Sequence, residues 1–315
     1  MYDIAFSVTG CLRANTRVDV AWVVEARGLG TSGRVEALAI TPGGGRVGSL
    51  LSGALNDQLA ELVAGGGSGR LVELDVAELE ALAAGLPNGG DVRCLLMPAA
   101  DLPEGLWERL RNREPVCLVA QLDDDRVRDV ALFTAETIAQ ADEDVARLFD
   151  RAVSGATVAG DTVTTVLWPV PTLVIVGAGA VAEALDAATS LLGWQVQTIT
   201  DASSATGVIA TLAALDKVVV VSHDDDLAGS ALEAALSSEV GYIGALGSRR
   251  TQRSRADWLA YRDITDLTRV HGPAGLDIGA KTPAEIAVSI LAQALAVSSR
   301  SSETARVLSP DQAIT

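Results

Sequence analysis

A buried strand followed at once by a glycine turn constrains the fold of this chain more than any other feature. Leu173 to Val176 is a run of branched apolar residues, and the turn Gly177-x-Gly179-x-x-Ala182 follows it directly, ahead of an amphipathic segment. The first glycine lets the chain turn, the second lets the backbone approach a pyrophosphate, and the alanine lets helix and strand pack closely. The sequence therefore predicts a Rossmann-type fold in which this turn, including Ala180, receives a phosphate at a helix N-terminus.

The segments after this turn alternate between strand and helix patterns. Strand patterns cover residues 195–200, 217–222 and 241–244, and helical patterns cover 181–192, 228–236, 249–259 and the segment from 283. Such alternation predicts a parallel sheet with helices on its faces. We assign this α/β domain to residues 172–298 and expect a loose tail at 299–315.

The amino-terminal half has a different pattern, with short strands that are only occasionally separated by helices. Strand patterns cover residues 18–25, 34–40, 70–75, 92–97, 116–122 and 127–133, and helical patterns cover 50–64, 77–84 and 103–112. This pattern predicts a smaller α+β domain over residues 1–153. The small residues that follow predict a linker at 154–171, with one short strand at 162–167.

Composition excludes several classes of function. The chain has 315 residues, a formal charge of −17 and two histidines. This charge argues against nucleic acid and anionic membranes as partners, and no apolar run approaches the roughly 20 residues that span a bilayer. Cys11, Cys94 and Cys117 are widely separated, so we expect neither a disulfide framework nor a tightly bound metal. With no secretory signal pattern at Met1, we expect a cytoplasmic protein.

Further candidate binding residues lie where predicted strands end. Asp201 follows Gly177 by about two dozen residues, the spacing at which a carboxylate accepts a hydrogen bond from a ribose hydroxyl. His223 and Asp224 close the next strand at the end of the sheet where ligands bind. We therefore include Asp201, His223 and Asp224 in the predicted site.

A second strand ends in glycine and leads into a helix at Gly247-Ser248-Arg249-Arg250. Ser248 is a natural N-cap, whereas arginines in a first helical turn oppose the helix dipole unless an anion is near. With Arg253 and Arg255 they form the main basic cluster of an acidic chain. Two explanations stay open for Arg249 and Arg250: a ligand phosphate, or ion pairs with residues 224–226 or with carboxylates of a partner subunit.

A third glycine-rich segment runs from His271 to Thr282. Its end is structural, because Thr282 and Glu285 have the spacing of a capping box around Pro283. The loop before it places glycines around one carboxylate, which suggests a backbone pressed close to something. Gly275, Asp277 and His271 are thus site candidates, with capping or turn stabilisation as the alternative.

Taken together, four segments resemble the XdhC/CoxI family: GAGAVAEAL, VVVVSHD, YIGALGSRRTQRSR and GPAGLDIGAKTPAEIAVSILA. Members of this family are accessory proteins that mature xanthine dehydrogenase, carbon monoxide dehydrogenase and related molybdenum hydroxylases. The resemblance covers the carboxy-terminal domain. It implies a maturation chaperone rather than an enzyme, so we assign no catalytic residue.

The resemblance also implies a cargo and partners. The cargo is the molybdenum cofactor, as molybdopterin or its cytosine dinucleotide, which is protected during sulfuration and then delivered to the apo-subunit of the hydroxylase. A cysteine desulfurase is a further expected partner. We expect a homodimer.

The amino-terminal half departs from the family pattern. A segment typical of the family resembles GSxSGGCxE, and here Ala54 stands at its cysteine and Asn56 at its acid. A GSxPRxxG-like loop is reduced to residues 28–33, and Ala180 replaces a histidine often found after GAG. Direct handling of sulfur or metal by this chain is therefore doubtful.

Two other hypotheses stay open. The turn at Gly177 and the carboxylate of Asp201 also suit an NAD(P)-dependent oxidoreductase. Against this, the chain has only two lysines, Lys217 and Lys281, and lacks a Tyr-x-x-x-Lys pair. Alternatively, the departures at Ala54, Asn56 and Ala180 suit an empty family member that acts as a scaffold or regulator.

Overall fold

A computed structural model describes residues 1–29 and 35–307, with side chains up to residue 297. The chain divides into two compact units, Met1–Pro169 and Val170–Thr315. Within the described residues, no helix is both long enough and apolar enough to cross a membrane. Each unit has its own sheet and its own hydrophobic clusters.

The first unit is built on an antiparallel sheet, in which nine strands are described. These are β1 (Asp19–Arg27), β2 (Ala37–Ile40), β3 (Arg46–Gly48), β4 (Arg70–Val76), β5 (Gly90–Pro98), β6 (Val116–Asp123), β7 (Arg126–Thr134), β8 (Gly155–Ala159) and β9 (Thr162–Leu167). Their order is β3-β2-β1-β5-β4-β7-β6-β9-β8. The helices are α1 (Tyr2–Arg13), α2 (Asn56–Ala64), α3 (Glu78–Ala83), α4 (Leu106–Arg111) and α5 (Glu143–Asp150).

Strand β1 shows how this sheet buries both of its faces. Val20 and Trp22 pack into one cluster with α1 and α4, whereas Ala21, which points the other way, packs into a second cluster with α2. Trp22 Nε1 also donates to Thr165 Oγ1 of β9 at 3.1 Å, although four strands separate β1 from β9 in the sheet order. The sheet therefore bends back over its core.

The strand predicted at residues 162–167 is confirmed as β9, but the linker expected around it at 154–171 is wrong. Strands β8 and β9 form a hairpin, and β9 also pairs with β6 along its whole length. Val163 and Val166 are buried, and Gly160 adopts φ +57° between the two strands. Small residues such as those of β8 occur in edge strands as well as in linkers. Composition therefore cannot distinguish the two structures at this segment. The segment belongs to the first unit.

The second unit contains a parallel sheet of five described strands with helices between them. The strands are β10 (Thr172–Val176), β11 (Gln195–Ile199), β12 (Lys217–Val220), β13 (Tyr242–Ala245) and β14 (Val270–His271), in the order β11-β10-β12-β13-β14. The helices are α6 (Ala180–Leu191), α7 (Ala202–Ile209), α8 (Asp225–Leu236), α9 (Arg249–Ala260) and α10 (Pro283–Val307). The α/β prediction is confirmed, although α7 and the short β14 were not predicted. Residues 299–307 continue α10, so that part of the expected loose tail is wrong, and residues 308–315 lie outside the described residues.

Helices cover both faces of this sheet. Leu173 and Ile175 of β10 pack against α6 and α10, whereas Val174 and Val176 pack against α7, α8 and α9. Burial on both faces explains why the strand is a continuous apolar run rather than an alternating one. The chain leaves β10 for β11 on one side and then crosses to β12 on the other side. This reversal creates a crevice at the carboxyl ends of β10 and β12, which is where ligands bind in such sheets.

Candidate binding site at the carboxyl edge of the parallel sheet

The predicted site residues all follow carboxyl ends of strands in the second unit. Val176 at the end of β10 pairs with Ile199 and Val220, and Val220 pairs with Ala245. These strands therefore end level with one another, and the loops after them project from one edge of the sheet. The structure thus places every predicted site residue along a single edge.

The two glycines of the first turn have different surroundings. Gly177 adopts φ +118°, and a Cβ atom there would lie 2.6 Å from the backbone nitrogen of Ser222. Gly179 adopts φ +110°, but a Cβ atom there would meet no described atom within 4 Å. Ala182 of α6 is only 3% exposed and packs against the sheet. Gly177 and Ala182 therefore serve internal packing, whereas Gly179 borders open space.

Helix α6 is the best-suited of these helices to receive an anion. Its N-cap, Gly179, has no side chain that could accept hydrogen bonds, and its first residue, Ala180, is exposed. In contrast, α7, α8 and α9 are capped by the side chains of Asp201, Asp224 and Ser248. The backbone N–H groups in the first turn of α6 thus lack a side-chain acceptor and attract negative charge.

Asp201 and Asp224 have a role that the sequence analysis did not assign to them. Asp201 Oδ1 accepts from the backbone N–H of Ser204 at 2.9 Å, and Asp224 Oδ1 accepts from Asp226 and Leu227, both at 2.9 Å. The hydrogen bonds from Ser204 hold the pKa of Asp201 below its ordinary value. Both residues are N-caps, and both remain exposed at the edge, as does His223.

The turn before α9 is shaped by its own helix. Ser248 Oγ accepts from the N–H of Thr251 at 3.2 Å, as predicted for an N-cap. Gly247 adopts φ +139°, with the side chain of Thr251 close to where a Cβ would lie. Arg249 and Arg250 are exposed, and among the described residues no ion pair joins them to Asp224, Asp225 or Asp226. The explanation by such internal ion pairs therefore has no support here.

Packing accounts for the third glycine-rich loop better than a ligand does. Gly275 adopts φ +106°, and a Cβ there would clash with Ser289 Oγ of α10. Its N–H donates to Gln293 Oε1 at 2.8 Å. The same amide oxygen accepts from Tyr242 Oη at 2.7 Å. The backbone is thus pressed against its own final helix, and Asp277 lies exposed beyond this contact.

His271 is half-buried against a neighbouring ring. Its ring stacks on Tyr242 with centroids 5.1 Å apart, and burial lowers its pKa. The neutral imidazole is therefore favoured at physiological pH. The predicted capping box at the start of α10 is confirmed, since Glu285 accepts from the N–H of Thr282 at 2.9 Å and Thr282 Oγ1 accepts from the N–H of Glu285 at 3.3 Å.

The three cysteines of the first unit differ in exposure. Cys94 and Cys117 are buried, and burial raises the pKa of each thiol to about 12. Cys11 is half-buried on α1, and Ala54 packs beside the α2 cluster. Part of the reduced loop, residues 30–33, lies outside the described residues. No cluster of three His, Cys, Asp or Glu residues suited to a metal occurs in the described part of the chain.

Arg255 is the residue that the sequence analysis placed incorrectly. It was grouped with the exposed arginines of α9, but it is only 2% exposed. Its Nη1 donates to Leu246 O at 2.7 Å and its Nη2 donates to Ser222 O at 2.8 Å. Helical spacing could have revealed this position, because Arg255 precedes the buried Leu259 by four residues and shares its inward face.

The second unit matches a known protein family. Residues 173–294 match the family described as the XdhC Rossmann domain. A protein from Escherichia coli (strain K12), "Uncharacterized protein YqeB", is 30% identical over 149 residues, which cover 40% of this chain and 27% of that protein. The match thus spans about a quarter of the relative's length. A solved structure described as a xanthine dehydrogenase from Bacillus halodurans shares 19% identity over 99% of this chain and 97% of its own, with a TM-score of 0.44. The resemblance found in the sequence is confirmed by the family match, and the carboxy-terminal part of this chain belongs to the XdhC Rossmann-domain family.

Proposed function

We propose that this chain is an accessory protein in the maturation of a molybdenum hydroxylase and that it binds the molybdenum cofactor as cargo. The observation that carries the proposal is the start of α6, where N–H groups without a side-chain cap adjoin the open space at Gly179, inside an XdhC Rossmann domain. A phosphate is the group that such a helix start favours. Molybdopterin carries one phosphate, and its cytosine dinucleotide carries a diphosphate.

The residues at this edge fit the phosphate-bearing part of that cargo. The first turn of α6 would hold the phosphate, and the exposed carboxylate of Asp201 would accept a hydrogen bond from the ribose of a dinucleotide form. Bound to the target hydroxylase, the cofactor supplies the molybdenum centre at which the substrate is oxidised. The residues of this chain bind and orient the cargo.

Two of the three thiols of this chain, those of Cys94 and Cys117, do not fit a direct role in sulfuration. A thiolate is the reactive form of cysteine, and the raised pKa values of Cys94 and Cys117 keep both protonated near neutral pH. We therefore propose that a cysteine desulfurase supplies the sulfur while this chain holds the cofactor. The apo-hydroxylase then receives it, and a homodimer in the cytoplasm is the proposed working form.

A retention experiment tests the proposal. The full chain is purified from cells that make molybdopterin, and bound pterin is measured by fluorescence after oxidation. Ala180→Glu places a carboxylate at the first turn of α6, where it competes with a phosphate for the N–H groups, so we expect at least a tenfold loss of retained pterin. Ala187→Glu, at another exposed position of α6, is the matched control.

Two results would overturn the proposal. The first is absence of pterin from the unaltered protein together with unchanged activity of the partner hydroxylase in a deletion strain. The second is equal retention by Ala180→Glu and Ala187→Glu. In the first case, a scaffold role becomes the better explanation, and an Ala54→Cys variant that gains cofactor binding would support it.

A nicotinamide dinucleotide is the second candidate ligand. The exposed carboxylate of Asp201 at the end of β11 favours it, because this is the position that contacts the adenosine ribose in NAD-binding domains. Titration with NADH followed by fluorescence distinguishes the two ligands. Micromolar binding with turnover would favour an oxidoreductase over a carrier.

A further inference from the structure

The buried Arg255 joins two neighbouring loops at the ligand-facing edge. The two carbonyl oxygens that accept from its guanidinium belong to Ser222, which follows β12, and to Leu246, which follows β13. These strands are direct neighbours in the sheet. A single side chain therefore fixes the spacing of both loops.

The positive charge of Arg255 has no carboxylate in contact within the described part of the chain. Its Nε is also buried without a hydrogen-bond acceptor. Burial lowers the pKa of its guanidinium, and Asp225 is the charged group that opposes this shift. Burying a charge without a paired ion is unfavourable, and neutral amides could donate to the same two carbonyls at lower cost. Arg255 therefore contributes positive potential beneath these two loops, where a bound anion would be stabilised.

Side chains of α9 also donate hydrogen bonds to the carbonyl oxygens at the end of β13, which would otherwise repel an anion. Gln252 Nε2 donates to Ala245 O at 2.8 Å and to Gly247 O at 3.4 Å, while Arg255 takes the carbonyl of Leu246 between them. Three successive carbonyls, from the last residue of β13 onward, are thus paired with nitrogen donors. The negative partial charge that strand ends otherwise present is reduced.

Arg249 and Arg250 add exposed charge next to these loops. Both stand in the first turn of α9, where a cation opposes the helix dipole and lowers stability unless an anion is bound. They lie directly after Ser248, whose side chain is already used as the N-cap. Two exposed guanidinium groups thus adjoin the loop that Arg255 holds from beneath.

We propose that the crevice between the loops after β12 and β13 is a second phosphate subsite, with Arg249 and Arg250 as contacts and Arg255 as its positioning residue. Strand β12 lies between β10 and β13, and adjacent strands lie about 4.8 Å apart, so the centre of this subsite is roughly 7 Å from the turn before α6. One phosphate group cannot reach both places. The ligand of this edge therefore carries two separated anionic groups. This inference rests on the proposed function in one respect: both place the ligand at the carboxyl edge of the parallel sheet.

Calorimetric titration of the full chain with inorganic pyrophosphate tests this subsite without any pterin. We expect two sites in the unaltered protein. Ala180→Glu should leave one site, the Arg249→Ala/Arg250→Ala variant should leave the other, and the combination should leave neither. Removing the two guanidinium groups should weaken the second site by at least tenfold. Arg128→Ala, an exposed arginine on β7 of the first unit, is the matched control for lost charge.

Stability separates a binding role from a structural one. Because Arg249 and Arg250 oppose the dipole of α9, their removal should leave the unfolding temperature unchanged or raise it while binding is lost. Arg255→Lys keeps the charge and Arg255→Gln removes it. We expect the salt dependence of pyrophosphate binding to persist in the lysine variant and to weaken in the glutamine variant.

A single pyrophosphate site in the unaltered protein, or full affinity in the Arg249→Ala/Arg250→Ala variant, would overturn the subsite. Equal salt dependence in Arg255→Lys and Arg255→Gln would overturn the role of Arg255. If the glutamine variant does not fold, the comparison is made between the unaltered protein and the lysine variant, whose preserved salt dependence is the expected result. These outcomes do not depend on pterin retention, so this inference and the proposed function can fail separately.

Discussion

Two glycines, one in each of two loops at the same edge of the parallel sheet, have opposite surroundings. In the turn before α6, Gly179 faces open space and leaves room for a ligand. In the loop before α10, Gly275 is pressed against Ser289 and Gly272 against Gln252, both from the chain itself. The two loops look alike in sequence. A glycine in the sequence therefore indicates a left-handed backbone or a close contact of the backbone with another group. Only the tertiary structure shows whether that group is part of the chain itself or whether the space is open.

Among the substitutions that test this comparison, we expect Gly177→Ala to cause the largest loss of stability. In Gly177→Ala the new Cβ would lie 2.6 Å from the nitrogen and 2.9 Å from the Cα of Ser222, and backbone atoms cannot move aside easily. We expect a loss of about 3–5 kcal/mol in the free energy of unfolding, from left-handed strain and overpacking together. Urea unfolding followed by circular dichroism measures it. A loss no larger than that of Gly179→Ala would contradict this account.

Gly275→Ala should have the next largest effect. The added methyl group would meet the hydroxyl of Ser289, so we expect a loss of about 2–4 kcal/mol. Ser289→Ala removes that hydroxyl and, with it, a hydrogen bond of 2.6 Å to Leu276 O, at about 1 kcal/mol. The double variant should be more stable than the sum of the two single losses predicts. Strict additivity would show that Gly275 is not constrained by α10.

Gly179→Ala sharpens the other side of the comparison. No described atom lies near the position of the new methyl group, so only the strain of φ +110° remains, about 1–3 kcal/mol. We expect a moderate loss of stability and a much larger loss of pterin retention, because the methyl group enters the space proposed for the phosphate. Gly275→Ala, measured in the same retention experiment below its unfolding temperature, is the control. Equal retention by both variants would remove the distinction between the loops.

Asp201→Asn should have the smallest effect, and it should depend on pH. The hydrogen bonds from Ser204 hold the folded-state pKa of Asp201 below the ordinary 3.8. The stability contributed by the ionised carboxylate is therefore present above pH 3.8 and is lost as the pH falls through the lowered folded value. Thermal unfolding of both proteins across this range measures the difference. Asp277→Asn, in the loop before α10, is the control. A difference in unfolding temperature between the unaltered protein and Asp201→Asn that does not change with pH would contradict the prediction.

The parallel sheet was predictable because its signals are local. Leu173 to Val176 is apolar at every position, which is how a strand covered on both faces reads, and the turn with Gly177 marks where it ends. The caps at Ser248 and Thr282 were predictable for the same reason, since each involves residues within one helical turn. By contrast, β8 was read as a linker, because its small residues acquire meaning only from pairing with β9.

By itself, the sequence determined the alternation of strands and helices, the glycine turn at Gly177 to Ala182 and the helix caps, because each depends on residues that are close along the chain. Only the tertiary structure decided that Gly275 packs against α10, that Gly179 borders open space and that Arg255 lies buried between two loops. Those contacts join segments such as Ser222 and Arg255, which are 33 residues apart. Whether such segments meet depends on how the whole domain packs. Local sequence patterns do not show which distant residues come into contact.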